Sequence, residues 1–212
     1  MAIIGDGKSG IVCEDSLENP QNWSDATRQK VHLENYSVLL TNPPFGAKIP
    51  VSGEDKLKQF ELGHKWKQNK ITGEWEKGKL KDKEAPQILF IERCLQLLEY
   101  GGRMAIVLPD GIYGNNQLGY IRRWLLERAR IVAIIDVPTE TFMPSTPTKT
   151  TIIILQKLPK NKIPNDYSIF MAIVETCGHD RRGNPKESDD IAQVPGVFRK
   201  WAKENNFNFI KV

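Results

Sequence analysis

The chain of 212 residues is poor in the residue types that announce many kinds of chemistry. Its three cysteines, Cys13, Cys94 and Cys177, are far apart and odd in number. No CxxC pair occurs, so no disulfide framework is expected and a reducing cytoplasm is the expected setting. The three histidines, His32, His64 and His179, make no HxH or HxxxH pair with one another, so no metal site is expected. No apolar run approaches the roughly 20 residues of a membrane span, and the N-terminus lacks a signal peptide's basic-then-apolar layout. An excess of one charge is also missing. A net charge of +4 and a pI near 8.9 permit nucleic-acid binding without arguing for it. Hydrophobic residues at 40% and charged residues at 26% are those of a globular chain, long enough for one α/β domain.

One motif is present in spelling only. Residues 2–9, AIIGDGKS, place Gly7-Lys8-Ser9 at P-loop spacing, with Ala2 where the first glycine belongs. A phosphate loop needs a strand before it and a helix after it. Met1 leaves no room for that strand, and Ile11-Val12-Cys13 reads as strand, not helix. The expectation is a polar glycine turn.

What the chain does have is Thr41-Asn42-Pro43-Pro44-Phe45-Gly46, directly after the apolar run Val38-Leu39-Leu40. That run reads as a buried strand. Two prolines in succession stop it, and each forces the residue before it into extended geometry. Prolines bring no N–H, so the corner offers carbonyls, one amide side chain and one aromatic ring. This set suits a flat ring bearing an NH2 group. The Asn42 side-chain oxygen and the Pro43 carbonyl can take its two N–H donors, and Phe45 can stack on it. A strand-ending turn with a structural Phe would spell the same way, since Asn-Pro commonly opens turns.

Gly10 to Leu17 reads as a short strand ending in acids, with Asp15 either capping a turn or facing a ligand. Residues 18–35 are polar and read as a loop with one helical turn. Residues 47–84 show little apolar periodicity. Within them Lys65, Lys67, Lys70, Lys77, Lys79, Lys81 and Lys83 interleave with Trp66 and Trp75, which flank a Thr72-Gly73 turn and suggest a hairpin. Such an insertion fits a nucleic-acid surface and equally a solvated loop. Ile88 to Leu98 carries a helical stripe that Gly101-Gly102 would cap. Met104–Leu108 and Ile131–Ile135 read as buried strands, separated by a helix near 117–129. Strand, crossover helix and strand form a right-handed unit, so Asn42 and Pro109 should end neighbouring strands on one side. Thr151–Leu155 follows residues 139–150 without a helix and should run antiparallel. Residues 168–175 add a further apolar strand.

Asn42-Pro43-Pro44-Phe45 resembles motif IV of the amino-methyltransferases, in the form typical of DNA adenine-N6 methyltransferases. Gly101 to Gly111 looks like motif VI, Phe142 with its Thr-rich strand looks like motif VIII, and the Asp15 stretch resembles motif III. The likeness is nearest to the modification subunit of type I restriction-modification systems and covers most of residues 1–180. It implies a partial Rossmann-like α/β sheet, mostly parallel with an antiparallel strand. It implies methyl transfer from S-adenosylmethionine to adenine N6 in double-stranded DNA, alongside specificity and restriction subunits. In the roles it suggests, Asn42, Pro43, Pro44 and Phe45 are catalytic, and Asp15 contacts the cofactor's adenine. Phe45, Phe142, Pro109 and Asp110 would meet the target base, and Lys65, Trp66, Lys67, Lys70 and Trp75 would contact DNA. Gly178-His179-Asp180-Arg181-Arg182-Gly183-Asn184-Pro185 resembles a turn common in the family, and 181–212 reads as a linker with a C-terminal helix.

The family's glycine-rich motif I and its ribose-binding acid have no match in this chain. The expectation is therefore a partial catalytic domain with its first strands missing, inactive on its own and prone to self-association along an open strand edge. Two other readings share the corner: an RNA or protein-glutamine methyltransferase, and a non-catalytic remnant that binds nucleic acid or a partner subunit.

Overall fold

The computed structural model describes residues 10–45 and 49–212. The glycine turn at residues 2–9 and Gly46 lie outside the described residues. The first described segment is not a strand. Ile11 to Cys13 pairs with no other described residue, and Ile11 is 52% exposed. A strand exists only within a ladder, and here Leu17 and Trp23 draw the chain away from the sheet. Leu17 packs on Leu57, Phe60 and Leu89, and Trp23 lies under Arg93 with 5.6 Å from guanidinium to ring. A short helix α1 (Asp25–Arg28) follows, capped by the Ser24 hydroxyl accepting from the Thr27 N–H.

Strand β1 (Tyr36–Thr41) leads to the Asn-Pro-Pro-Phe corner. The insertion after it is ordered. Strand β2 (Val51–Ser52) pairs with β5 (Lys83–Glu84), with helix α2 (Glu54–Leu57) beside them. Between them β3 (His64–Gln68) and β4 (Trp75–Leu80) form the expected antiparallel hairpin, turning at Gly73 with φ +74°.

Helix α3 (Pro86–Leu97) opens on Pro86, which needs no N–H partner there, and buries Ile88, Ile91 and Leu95. It passes directly into β6 (Leu98–Pro109). Gly101 and Gly102 therefore do not cap the helix; they lie within the strand. Tyr36 pairs with Leu98 but Val38 pairs with Arg103, so β6 bulges at the two glycines. Gly101 takes φ +88°, which its missing Cβ allows. Gly102 sits so close to β1 that a Cβ would come within 2.8 Å of the Tyr36 carbonyl oxygen.

Helices α4 (Gly111–Gly114) and α5 (Gly119–Leu126) lead to β7 (Ala129–Val137). Strand β8 (Thr150–Lys157) then inserts antiparallel between β6 and β7, and β9 (Phe170–Ile173) adds parallel to β7. The sheet order is β1-β6-β8-β7-β9, with four strands pointing one way and β8 the other. The helix-free link from β7 to β8 accounts for the reversal. One face of the sheet packs Met104, Ile106 and Leu108 against Ile91, Ile121 and Trp124.

The expected C-terminal helix is present, but the segment before it is not all linker. Strand β10 (Cys177–His179) pairs with β11 (Pro185–Asp189), so a boundary at residue 180 would cut a hairpin turn. Helix α6 (Val194–Glu204) joins the opposite face of the sheet, where Phe198 and Trp201 pack on Phe170 at 5.3 and 5.6 Å. That cover stops short of β1, and Val38 and Leu40 remain 50% and 76% exposed. Among the described residues, β1 has no neighbour on its outer edge, and no helix is long and apolar enough to cross a membrane.

Candidate active site

Strand β1 places Asn42 at its C-terminal end, next to the end of β6, as the crossover rule requires. Pro43 is buried, while Asn42 stays exposed and Phe45 is half-buried. Neither the Asn42 side chain nor the Pro43 carbonyl hydrogen-bonds to another described residue, so both acceptors remain open to a ligand. The corner forms one wall of a cavity of about 460 Å³. The other wall is the loop from β7 to β8, a 3-10 turn at Thr139–Phe142 followed by Met143 to Thr146. Lys149 on this loop is ion-paired to Asp136 on β7 at 2.9 Å, and the Thr146 N–H donates to the Phe142 carbonyl.

Phe45 and Phe142 meet in this cavity. Their ring centroids are 6.3 Å apart and their planes stand at 87°. This edge-on contact is a favourable aromatic pair, but perpendicular rings cannot both lie flat on one base. One ring can stack while the other presents its edge.

Pro109 and Asp110 are near but not in the wall. They end β6 one strand over, and the Asp110 carboxylate accepts from the Thr151 hydroxyl at 3.1 Å. The antiparallel β8 starts between the ends of β6 and β7, which brings Thr151 to Asp110. Thr141, Met143, Ser145 and Thr146 line the cavity and were not singled out by their sequence. Their signal was the Thr- and Pro-rich composition of the loop around Phe142.

The hairpin packs on α5 through its tryptophans. Trp66 stacks on Tyr120 of α5 at 5.9 Å and 12°, and Trp75 packs on the same ring at 5.9 Å. The Trp66 indole N–H donates to the Glu61 carbonyl. Both tryptophans thus anchor the hairpin, and both remain half-buried. Lys65, Lys67 and Lys70 remain exposed. Trp75 abuts Gly119 at the start of α5, which puts the hairpin tip at the Asn42 end of the sheet.

Asp15 stands apart from the cavity on the N-terminal coil. One oxygen accepts from the Leu17 N–H at 3.0 Å and the other from Lys56 Nζ at 2.7 Å. Burial alone would raise its pKa, but Lys56 and the Leu17 N–H outweigh that and hold it below the usual aspartate range. The carboxylate keeps spare lone pairs for an adenine amino group. A single half-exposed acid is nevertheless not a binding cradle. The described residues fit an amino-bearing ring at Asn42, and they do not by themselves build a site for S-adenosylmethionine. Among them no three His, Cys, Asp or Glu side chains gather as a metal site would require.

Residues 2–211 match the family model described as N-6 DNA Methylase. The chain belongs to the N-6 DNA methylase family. It is 30% identical over 125 residues to the type I restriction enzyme EcoEI methylase subunit of Escherichia coli, covering 58% of this chain and 21% of that protein. It is 23% identical over 198 residues to the MpnII methylase subunit of Mycoplasma pneumoniae, covering 93% of this chain and 34% of that protein. The chain therefore spans between a fifth and a third of these relatives. Among solved structures, a type I methyltransferase subunit from Streptococcus thermophilus aligns with a TM-score of 0.56 at 21% identity, over 92% of this chain and 40% of that one. The shared fold is that of the class I S-adenosylmethionine-dependent methyltransferases.

Proposed function

We propose that the Asn42 corner holds the amino group of an adenine flipped out of duplex DNA, as part of the modification subunit of a type I restriction-modification system. The observation that carries this reading is the pairing of two unengaged acceptors with an aromatic-walled cavity at a parallel strand's C-terminal end. Extruding a paired base costs a few kcal/mol, which stacking and hydrogen bonding in the cavity offset. Adenine N6 is a weak nucleophile because its lone pair is delocalised into the ring. The Asn42 oxygen and the Pro43 carbonyl orient it by accepting both of its N–H groups. As N6 takes the methyl group in exchange for a proton, which leaves to solvent, positive charge grows on it and those two hydrogen bonds strengthen, which stabilises the transition state selectively. S-adenosylmethionine supplies the methyl group in this family, and Asp15 would address its adenine. Lys65, Lys67 and Lys70 would face DNA phosphates from the hairpin.

The full protein would work with specificity and restriction subunits, and the open β1 edge favours self-association of this chain when isolated. Because the described residues build the acceptor side alone, the chain by itself is expected to be silent. The test uses the complete subunit that contains these residues, with labelled S-adenosylmethionine and duplex DNA, followed by digestion to nucleosides. N6-methyldeoxyadenosine is the expected product. Label in cytosine, in RNA or in protein would refute the reading.

A further inference from the structure

The turn from Gly178 to Pro185 is not accounted for by the chemistry at Asn42, yet it touches the target-base loop. Arg181 Nε donates to Glu140 Oε1 at 2.9 Å, and Glu140 lies two residues before Phe142. On the same turn, a Cβ at Gly183 would rest 3.9 Å from Pro144 Cδ. The turn has a fixed shape. Asp180 accepts from the N–H groups of Arg182 and Asn184 and from the Asn184 side chain, all within 3.0 Å. Gly183 supplies the positive φ, +84°, that closes it. Beside it lies a depression of about 460 Å³, open to solvent and lined in part by His179, Arg182, Lys186 and Ser188.

Charge distribution decides what this depression can accept. Glu140 is taken by Arg181, which holds it below the usual glutamate range. Asp180 is taken by the turn's own N–H groups and Asn184. Glu175 also lines the depression, exposed to solvent, yet among the described residues neither Arg182 nor Lys186 has a carboxylate within ion-pair distance. Two exposed cations are thus presented together, Arg182 on the turn and Lys186 on β11, at the same end of the sheet as the base cavity.

We propose that Arg182 and Lys186 bind phosphates of the DNA backbone next to the flipped nucleotide, with Arg181 positioning the turn on the Phe142 loop. This rests on the reading of the Asn42 cavity as a base site, but its test does not. Phosphate contacts read no sequence, so binding to a random duplex needs neither the cofactor nor a flipped base. Each phosphate neutralised steepens the dependence of log affinity on log salt by about 0.9.

The experiment titrates this chain against a fluorescent random-sequence duplex by anisotropy, between about 50 and 200 mM salt. The double variant R182A/K186A should lower affinity on all sequences alike and reduce the slope by about 2. R182K/K186R, which conserves the charge, should keep the wild-type slope, which separates charge from folding. K160A/K162A removes two exposed cations from the opposite end of the sheet and should leave the slope unchanged. The inference is overturned by an unchanged slope in R182A/K186A, by an equal fall in the K160A/K162A control, or by no binding of the wild-type chain at the lowest salt. None of these results bears on whether adenine N6 is the methyl acceptor.

Discussion

Gly102→Ala should destabilise the protein at the point where the site's position is set. The bulge at Gly101 and Gly102 fixes how β1 registers on β6, and that register places Asn42 beside the end of β6. An added Cβ would stand 2.8 Å from the Tyr36 carbonyl oxygen, 2.9 Å from the Glu99 carbonyl oxygen and 3.2 Å from Leu98 Cδ2. Two of these are backbone atoms, so no side chain can swing away to make room. Overpacking of this kind costs about 1–3 kcal/mol. At this chain length each kcal/mol lowers Tm by about 2–4 °C, so a fall of roughly 2–12 °C is expected. Thermal unfolding followed by circular dichroism measures it. A Gly102→Ala protein as stable as wild type would mean that the two strands do not approach this closely, and the account of how Asn42 is placed would fail with it.

Two further predictions concern buried polar groups. Glu92 lies under the hairpin base with both carboxylate oxygens accepting N–H groups, from Glu61 and Leu62 at 2.9 Å; burial, the larger effect, pushes its pKa up to about 7. A raised acid binds its proton more tightly when folded, so its penalty is absent below about pH 4.5 and grows to roughly 3 kcal/mol as pH rises to 7. Tm measured across that interval should fall in wild type and flatten in Glu92→Gln, whereas a parallel slope in the variant would exclude Glu92 as the cause. Thr150 is wholly buried and its hydroxyl finds no partner, so Thr150→Val should raise stability by about 1 kcal/mol; a loss of stability in urea titration would show that the hydroxyl is bonded after all.

Those parts of the fold that depend on one local rule were legible in the sequence. Met104–Leu108, Ile131–Ile135 and Thr151–Leu155 are short, largely apolar runs rich in β-branched residues, which fit a buried strand better than a helix at that length. Asn42 was legible because Pro43 and Pro44 leave the backbone few choices. Partners distant in sequence were not legible. Trp66 and Trp75 among lysines spell a nucleic-acid surface or a solvated loop equally well, and their packing on Tyr120, far along the chain, has no local signal. Gly101-Gly102 after a helical stripe spells a C-cap, and only the pairing of Val38 with Arg103 reveals a bulge. Ile11 to Cys13 has strand composition but no ladder among the described residues to join. The cavity wall from Thr141 to Thr146 has no periodicity of its own, because its shape comes from the turn and the Lys149–Asp136 pair that hold it.

The most direct test of the central claim is the turnover of Asn42→Ala in the complete subunit, measured together with its affinity for S-adenosylmethionine. Loss of one acceptor for a developing charge in a dry site costs about 2.7–4 kcal/mol, or roughly 10²–10³ in kcat. The account predicts that fall in kcat with cofactor affinity nearly unchanged, since the proposed mechanism puts Asn42 on the methyl-acceptor side of the reaction. Near-normal turnover in Asn42→Ala, or a loss explained wholly by weaker cofactor binding, would contradict it.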